Sequence, residues 1–345
     1  MKVNLNEIKI IPDLTSISRK KISDKEYFSE QYKDYISNSR LGLINPEQNG
    51  SPNQYWIGLQ ENKTASLNLG SMIHELVLQK DDFYLVDDIH MPSGKLGLVI
   101  NQIKSFRRHG FSIIDSINNA CNIIHYYEKS ITPKRIKKII SEGLNYYLNV
   151  EKYENDEQAI ITTIKDKIIV SECVNNINNN RQIQNLLNPI DIWGDEILSF
   201  NEDAFFINFI VTHNDKSCVL KFKMKADNWT IDLDEKIITL NDLKTTSHYV
   251  DQFMNTSFSH YHYSRQFAVY LFILLRYCEK EYGYNKDEWK YKCNVIVSET
   301  RGKHNCATFP ITQELLDQGK KEFCRLLKMV AYCEIYGYSN DYEFI

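Results

Sequence analysis

The sequence predicts an α/β protein, and three observations lead to that class. Residues 191–246 contain short strand-like segments separated by turns, without a helical period. A strong helical pattern follows at 259–280, then two more strand-like segments and an amphipathic helix at 312–332. Helical patterns also dominate the chain before residue 190. Strands and helices in this order are typical of a sheet covered by helices.

The expected strands are bounded by turn residues. They are residues 196–200, 204–211, 218–226, 236–243, 291–297 and 306–309. Asn214-Asp215 and Asp232-Leu233-Asp234 separate neighbouring strands as turns. We therefore expect residues 191–345 to form the α/β core, which ends in a C-terminal helix.

The chain before this core is expected to be a large helical part. Ser37-Asn38-Ser39 offers side-chain oxygens that cap a helix, and apolar residues recur at helical spacing in 67–77. A further helix at 174–188 ends at Pro189. The first thirty residues show little pattern. We expect residues 1–190 to pack on the core 191–345, so that the two parts form one integrated domain.

Composition limits the class of protein. The 345 residues are 43% hydrophobic with only 13 Gly and 7 Pro, which excludes low-complexity and linker-like chains. The net charge of −4 argues against a protein that simply coats nucleic acid with basic surface. It leaves room for an enzyme with a local basic track and an acidic metal site. The 8 cysteines contain no CxxC pair, so we expect reduced, mostly buried thiols.

No segment of the sequence indicates a membrane. The first residues lack the apolar stretch of a signal peptide, and the longest apolar run, 267–275, is half the length of a membrane span. We expect a cytoplasmic protein, in the host cytoplasm if it is encoded by a phage.

Charged residues follow buried positions at the ends of two expected strands. Asp227 shares a strand face with three lysines, and Asp242 and Lys244 share a face directly after apolar residues. A carboxylate and a lysine placed on one face directly after buried positions are costly to desolvate. If the strands pair, Asp227 and Asp242 meet and require a cation, and hard oxygen ligands select Mg²⁺. The three lysines, Lys221, Lys223 and Lys225, fit a phosphate track and a solvated strand edge equally well.

A polar group interrupts an aromatic stripe on the helix that follows. Tyr263, Gln266 and Tyr270 are spaced at i, i+3 and i+7, so they lie on one helix face. An aromatic stripe alone indicates core packing. The amide of Gln266 needs a hydrogen-bonding partner within it.

These residues resemble a known family. The order Glu196, Asp227, Asp242-Leu243-Lys244 and Gln266-x-x-x-Tyr270 is similar to the PD-(D/E)xK nuclease superfamily, in its RecB-like branch with a QxxxY helix. The segments 35–41 and 67–78 resemble the opening of the phage-type exonuclease VIII (RecE-like) nuclease domain. There a Gly-x-x-x-His element supplies a histidine near the metal, which here is His74. The resemblance covers roughly residues 30–300 and implies a mixed central sheet flanked by helices.

The resemblance also implies roles for single residues. Mg²⁺, with Mn²⁺ as a substitute, would be held by His74, Glu196, Asp227, Asp242 and the Leu243 carbonyl. Lys244 would polarise or deprotonate the attacking water, and its closeness to the metal is expected to lower its pKa. Contacts to DNA would come from Lys225, Tyr263, Gln266 and Tyr270.

The expected activity is hydrolysis of phosphodiester bonds in DNA. The resemblance favours an exonuclease that acts on double-stranded ends in phage-type recombination, with a single-strand annealing protein as partner and a ring-like homo-oligomer as assembly. Two alternatives stay open: an endonuclease of restriction or repair, and a non-catalytic DNA-binding or virion-associated protein. The intact Asp227, Asp242 and Lys244 weigh against the last.

Overall fold

The computed structural model describes residues 1–58, 65–86, 92–126, 132–144, 152–153, 156, 158–189 and 197–345. The chain divides into two units, one of residues 1–79 with 173–345 and one of residues 80–172. The expected boundary at residue 190 does not coincide with this division. The reason is that the first strand of the main sheet, Lys9–Lys21, comes from the N-terminal segment for which no element was expected.

The described strands and α-helices are as follows. The strands are β1 (Lys2–Val3), β2 (Lys9–Lys21), β3 (Tyr84–Val86), β4 (Ala159–Ile161), β5 (Ile197–His213), β6 (Lys216–Asp232), β7 (Ile237–Thr246), β8 (Lys290–Glu299), β9 (Cys306–Pro310) and β10 (Glu343–Phe344). The helices are α1 (Asp24–Tyr27), α2 (Asn38–Gly42), α3 (Pro52–Ile57), α4 (Ala65–Leu78), α5 (Gly94–Arg108), α6 (Ile113–Ile123), α7 (Pro133–Ile139), α8 (Ile164–Asn179), α9 (Arg181–Leu187), α10 (Tyr263–Tyr282) and α11 (Gln313–Tyr336).

A six-stranded mixed sheet forms the centre of the larger unit. Its strand order is β2-β5-β6-β7-β8-β9, and only β7 and β8 pair in parallel. This confirms the expected α/β class with a mixed sheet flanked by helices. The expected break between 200 and 204 is wrong: β5 is continuous there, and Glu202 passes through it with a φ of 55°.

Two long helices, α10 and α11, bury the apolar core of this unit. Helix α10 ends at Gly283, whose φ of 68° suits the left-handed cap. Helix α11 begins at Thr312, whose hydroxyl accepts a hydrogen bond from the Leu315 amide at 3.4 Å. A Cβ added at Gly319 would lie 2.0 Å from the Ser264 carbonyl oxygen, so this glycine permits the close approach of the two helices.

The smaller unit has a separate core. Helices α5 and α6 pack there through buried residues that include Val99, Ile103 and Ile117, and β3 pairs in parallel with β4. Within the described ranges, no helix combines the length and the apolar character that crossing a bilayer requires. All eight cysteines lie within the described residues and none forms a disulfide; five of them are buried, as expected.

Candidate metal centre

Three carboxylates stand side by side on adjacent strands of the main sheet. Asn201 of β5, Asn228 of β6 and Asn241 of β7 lie opposite one another in the strand register. Their neighbours in sequence, Glu202, Asp227 and Asp242, therefore form the next row across the same strands. Successive residues of a strand point to opposite faces, so the acids and the asparagines occupy different faces of the sheet.

The asparagine row is a hydrogen-bonded ladder. Asn228 Nδ2 donates to Asn201 Oδ1 at 2.7 Å, and Asn241 Nδ2 donates to Asn228 Oδ1 at 2.7 Å. Asn294 Nδ2 on β8 extends the ladder by donating to Asn241 Oδ1 at 2.9 Å. Asn228 and Asn241 are fully buried, so each bond replaces water that the amides have lost. The ladder links four strands directly behind the acidic row.

Helix α4 brings His74 to this row. A Cβ added at Gly70 would lie 3.0 Å from Thr245 Oγ1, so the glycine lets the helix approach β7 closely one turn before the histidine. His74 Nδ1 lies 3.6 Å from Asp227 Oδ2. The ligand atoms of His74, Glu202 and Asp227 all lie within 4.8 Å of one another. This close approach is a physical reason for the Gly-x-x-x-His spacing.

The other expected site residues make direct bonds around the cluster. Asp227 Oδ2 accepts a hydrogen bond from the Leu243 amide at 2.7 Å. Asp242 Oδ2 lies 2.5 Å from Lys244 Nζ, and Asp242 Oδ1 accepts a hydrogen bond from Gln266 Nε2 at 2.7 Å. The Gln266 amide thus has its partner in a carboxylate of the site. Asp242 is not one of the three residues whose ligand atoms lie within 4.8 Å.

Burial dominates the electrostatics of the site. It raises the pKa of Asp242 to about 6 and raises the pKa of Asp227, and the Lys244 ammonium opposes both changes. Burial and the Lys244 ammonium lower the pKa of His74, which favours the neutral imidazole that binds metals. Burial also opposes charge on Lys244, but the carboxylates of Asp242 and Asp227 raise its pKa above the usual value. The lowering of the Lys244 pKa that is expected beside a bound metal ion stays a prediction.

Two of the three lysines expected to form a phosphate track, Lys223 and Lys225, are bound to groups of the protein. Lys223 is 6% exposed, and its Nζ donates to the Tyr27 carbonyl at 2.7 Å. Lys225 Nζ lies 2.5 Å from Asp24 and 2.7 Å from Glu202. Because residues 24–27 cover this part of the strand, Lys223 lies away from solvent and Lys225 is bound to carboxylates. Lys221 is exposed.

The cluster opens into a cleft of about 710 Å³. The residues of the cluster and Lys244 line this cleft. All four residues expected to contact DNA also line it: Lys225, Tyr263, Gln266 and Tyr270. Tyr263 also places its ring 5.2 Å from Lys244 Nζ. The contacts of these side chains with DNA stay predictions. Glu196, expected to be the third acid, lies outside the described residues.

The residues present suit a divalent cation. Two carboxylates and a neutral imidazole within reach of one ion form a ligand set that accepts Mg²⁺ or Mn²⁺, and the imidazole adds preference for Mn²⁺. Asp227 is held in place by the Leu243 amide, and Glu202 is held by Lys225. Outer partners of this kind orient ligands in metal sites.

Glu202 is the site residue that sequence reasoning missed. It was assigned to a gap between two strands. The two-residue turn Asn214-Asp215 gives a signal that could have found it, because His213 pairs with Lys216 and the same register places Glu202 opposite Asp227. Glu202 lies twelve residues before Asn214, and Asp227 lies twelve residues after Asp215. Counting outward from the expected turn therefore identifies Glu202 as the third acid.

Comparisons with known proteins give little for this chain. No protein-family model and no curated protein matches it. Among solved structures, the crystal structure of a protein named "Putative exonuclease" from Eubacterium rectale is similar, with a TM-score of 0.42 and 10% sequence identity over 90% of this chain and 86% of that chain.

Proposed function

We propose that this protein is a deoxyribonuclease that depends on a divalent metal ion. The observation that carries the proposal is the cluster of His74, Glu202 and Asp227, whose ligand atoms lie within 4.8 Å of one another beside the Asp242–Lys244 ion pair. Buried carboxylates this close repel one another without a cation. The cluster faces a cleft large enough for part of a DNA strand, about 710 Å³.

The residues of the cluster and their neighbours would have different roles in phosphodiester hydrolysis. His74, Glu202 and Asp227 would hold Mg²⁺ or Mn²⁺, which supplies an activated water and stabilises negative charge on the phosphate. Lys244 offers an ammonium group beside the cluster, where charge on the scissile phosphate grows in the transition state. Asp242 holds that ammonium in place, and Gln266 fixes the Asp242 carboxylate by a 2.7 Å hydrogen bond.

The finer proposal is an exonuclease that acts on double-stranded DNA ends. It is supported by the resemblance of Asp242-Leu243-Lys244 and Gln266-x-x-x-Tyr270 to RecB-like nucleases. An annealing protein as partner and a homo-oligomeric assembly belong to the same proposal.

Incubation with linear and with covalently closed circular DNA tests the proposal. Each substrate is incubated with Mg²⁺, with Mn²⁺ and with EDTA, and products are separated by electrophoresis. We expect linear DNA to be degraded only with metal, and Asp227→Asn to abolish the reaction. Asp287→Asn, at an exposed position outside the cleft, is the matched control and should retain full activity.

The outcomes separate the alternatives. Cutting of circles would replace the exonuclease with an endonuclease. Hydrolysis in EDTA, or full hydrolysis by Asp227→Asn, would contradict the assigned site. A wild-type protein that binds DNA but hydrolyses none of it with either metal would contradict the enzymatic function.

A further inference from the structure

We propose that Phe28 and Tyr261 bind unpaired nucleotides of a DNA strand at the cleft by stacking on the bases. The inference rests on the proposed nuclease function and narrows its substrate. The bound strand would have at least two unpaired nucleotides, as a single-stranded tail or a melted end does.

The two rings are large, aromatic and exposed where they line the cleft. Phe28 is 65% exposed and Tyr261 is 55% exposed. Single exposed apolar residues are common on protein surfaces and need no explanation. Here, however, five of the nineteen residues that line the cleft are aromatic, about twice the 12% aromatic share of the chain. Two of those five present most of their surface to solvent.

Phe28 is connected to the Glu202 side of the metal cluster. Its ring packs edge-on against Tyr27 at 5.0 Å, at the end of helix α1. The same helix contributes Asp24, which pairs with Lys225, and Lys225 in turn lies 2.7 Å from Glu202. The segment that carries Phe28 is thus fixed to a proposed metal ligand.

Tyr261 is connected to the Lys244 side. Its ring lies 5.8 Å from the ring of Tyr263, and Tyr263 lies 5.2 Å from Lys244 Nζ. Among the ring contacts between described residues, none joins Tyr261 to Phe28. The two rings are therefore separate stacking surfaces on different elements of the fold.

Charge at the cleft explains why stacking is needed. The lining contains four carboxylates, on Asp24, Glu75, Glu202 and Asp227, against two lysines. Both lysines are already within 2.7 Å of carboxylates. Attraction of phosphates to free cations is therefore weak here. Aromatic rings bind nucleic acid through the base instead, and this contribution does not depend on positive charge.

The number of rings points to unpaired nucleotides. Bases inside a duplex present only their edges, and a blunt end presents one base-pair face. Two separate rings on different elements require two bases that can be oriented independently, which a single strand supplies and the fixed pair of a blunt end does not. Stacking of this kind tolerates any base sequence.

Binding of short oligonucleotides tests the inference. Fluorescence anisotropy is measured with a single-stranded 12-mer and a blunt 20-base-pair duplex, with Ca²⁺ in place of Mg²⁺ and electrophoresis to verify that the DNA stays intact. Phe28→Ala and Tyr261→Ala are compared with Phe28→Trp and Tyr261→Phe, which keep a ring. Tyr249→Ala is the control, because Tyr249 is 65% exposed but does not line the cleft. Thermal unfolding checks that each variant folds.

We expect each alanine variant to weaken binding of the single strand about 5- to 150-fold, the range for loss of one stacked base. The ring-retaining variants, the Tyr249 control and binding of the blunt duplex should change less than about twofold. Wild-type-like affinity of both alanine variants for the single strand would overturn the inference, as would equal losses on single strand and blunt duplex.

Failure of the inference and failure of the proposed function give different results. Metal-dependent hydrolysis that Asp227→Asn abolishes, together with unchanged single-strand binding by both alanine variants, would overturn only the stacking inference. Ring-dependent binding without hydrolysis under any metal would overturn only the enzymatic function. A wild-type protein with no affinity for the single strand would overturn the inference outright.

Discussion

Replacing Glu202 by Gln distinguishes two effects of the acidic cluster: its effect on the stability of the metal-free protein and its role in binding the metal ion. The substitution keeps the shape of the side chain and removes one charge from the group of His74, Glu202 and Asp227. We expect the metal-free protein to keep its stability and the metal-bound protein to lose the stabilisation that the ion gives.

The distances give the size of both effects. Two carboxylates no more than 4.8 Å apart repel by about 3 kcal/mol or more at an effective dielectric constant of about 20. Lys225 Nζ, 2.7 Å from Glu202, supplies an attraction of about 6 kcal/mol at the same dielectric constant, which the substitution also removes. The remaining difference of about 3 kcal/mol or less is offset because the substitution also relieves the desolvation of the buried Glu202 carboxylate. The free energy of unfolding without metal should therefore change by about 1 kcal/mol or less. An ion at about 100 times its Kd stabilises the wild type by about 2.7 kcal/mol, and the variant should lack most of this gain.

Thermal unfolding at pH 7.5 with EDTA and with increasing Mn²⁺ measures both numbers. The wild type should gain about 3–5 °C in Tm at saturating Mn²⁺, and Glu202→Gln about 1 °C or less. Glu288→Gln is the matched control, since Glu288 also pairs with a lysine, Lys236 at 2.5 Å, but on the surface. It should respond to Mn²⁺ like the wild type. Equal Tm gains in Glu202→Gln and the wild type would refute the assignment of Glu202.

Three further predictions concern the support of the site. Gly70→Leu should weaken Mn²⁺ binding about tenfold or more in calorimetry, and Gly70→Ala about threefold or less. The reason is that a Cβ at this position already lies 3.0 Å from Thr245 Oγ1. Equal affinities of the two variants would contradict the close approach of helix and strand. Asn241→Leu should lower the free energy of unfolding in urea by about 2–5 kcal/mol, since it leaves the buried amides of Asn228 and Asn294 without their partner. A loss below about 1 kcal/mol would contradict the hydrogen-bonded ladder. Burial lowers the pKa of Lys223 from 10.5 to about 8, so the stability it contributes at high pH is lost as pH falls through 8. The free energy of unfolding of Lys223→Met relative to the wild type should therefore rise by about 1–2 kcal/mol between pH 10 and pH 7 in urea unfolding, a figure that allows for partial hydration of the ammonium. A difference that does not depend on pH would show that the lysine is not desolvated.

Local patterns predicted the centre of the site well. The two-residue period of β7 placed Asp242 and Lys244 on one face, where they form an ion pair at 2.5 Å. The resemblance of the Gly-x-x-x-His element to the RecE-like domain implied a His74 near the metal, and the structure places its Nδ1 3.6 Å from Asp227 Oδ2. The strand prediction succeeds because it depends only on the geometry of one strand.

Features that depend on tertiary packing could not be read in this way. Strand β2 is an edge strand with mixed exposure, and its register shifts between Asp13 and Ser18, so its residues do not alternate regularly. Lys223 lies on the expected face of β6, but only the covering segment 24–27 makes it buried. Glu202 was missed because the polar residues around it, inside a long apolar strand, resemble a turn in the sequence. The positive φ of Glu202 is visible only in the structure.

Anomalous diffraction from crystals soaked in Mn²⁺ tests the central claim most directly, because it locates the ion without reference to activity. We expect one strong anomalous peak within bonding distance of His74, Glu202 and Asp227. A second group of possible ligands, Glu47, His262 and Glu322, is an internal comparison, because Arg265 Nη1 already lies 2.7 Å from Glu322 there. An empty cluster at saturating Mn²⁺, or a peak only at the second group, would contradict the metal centre proposed for this protein.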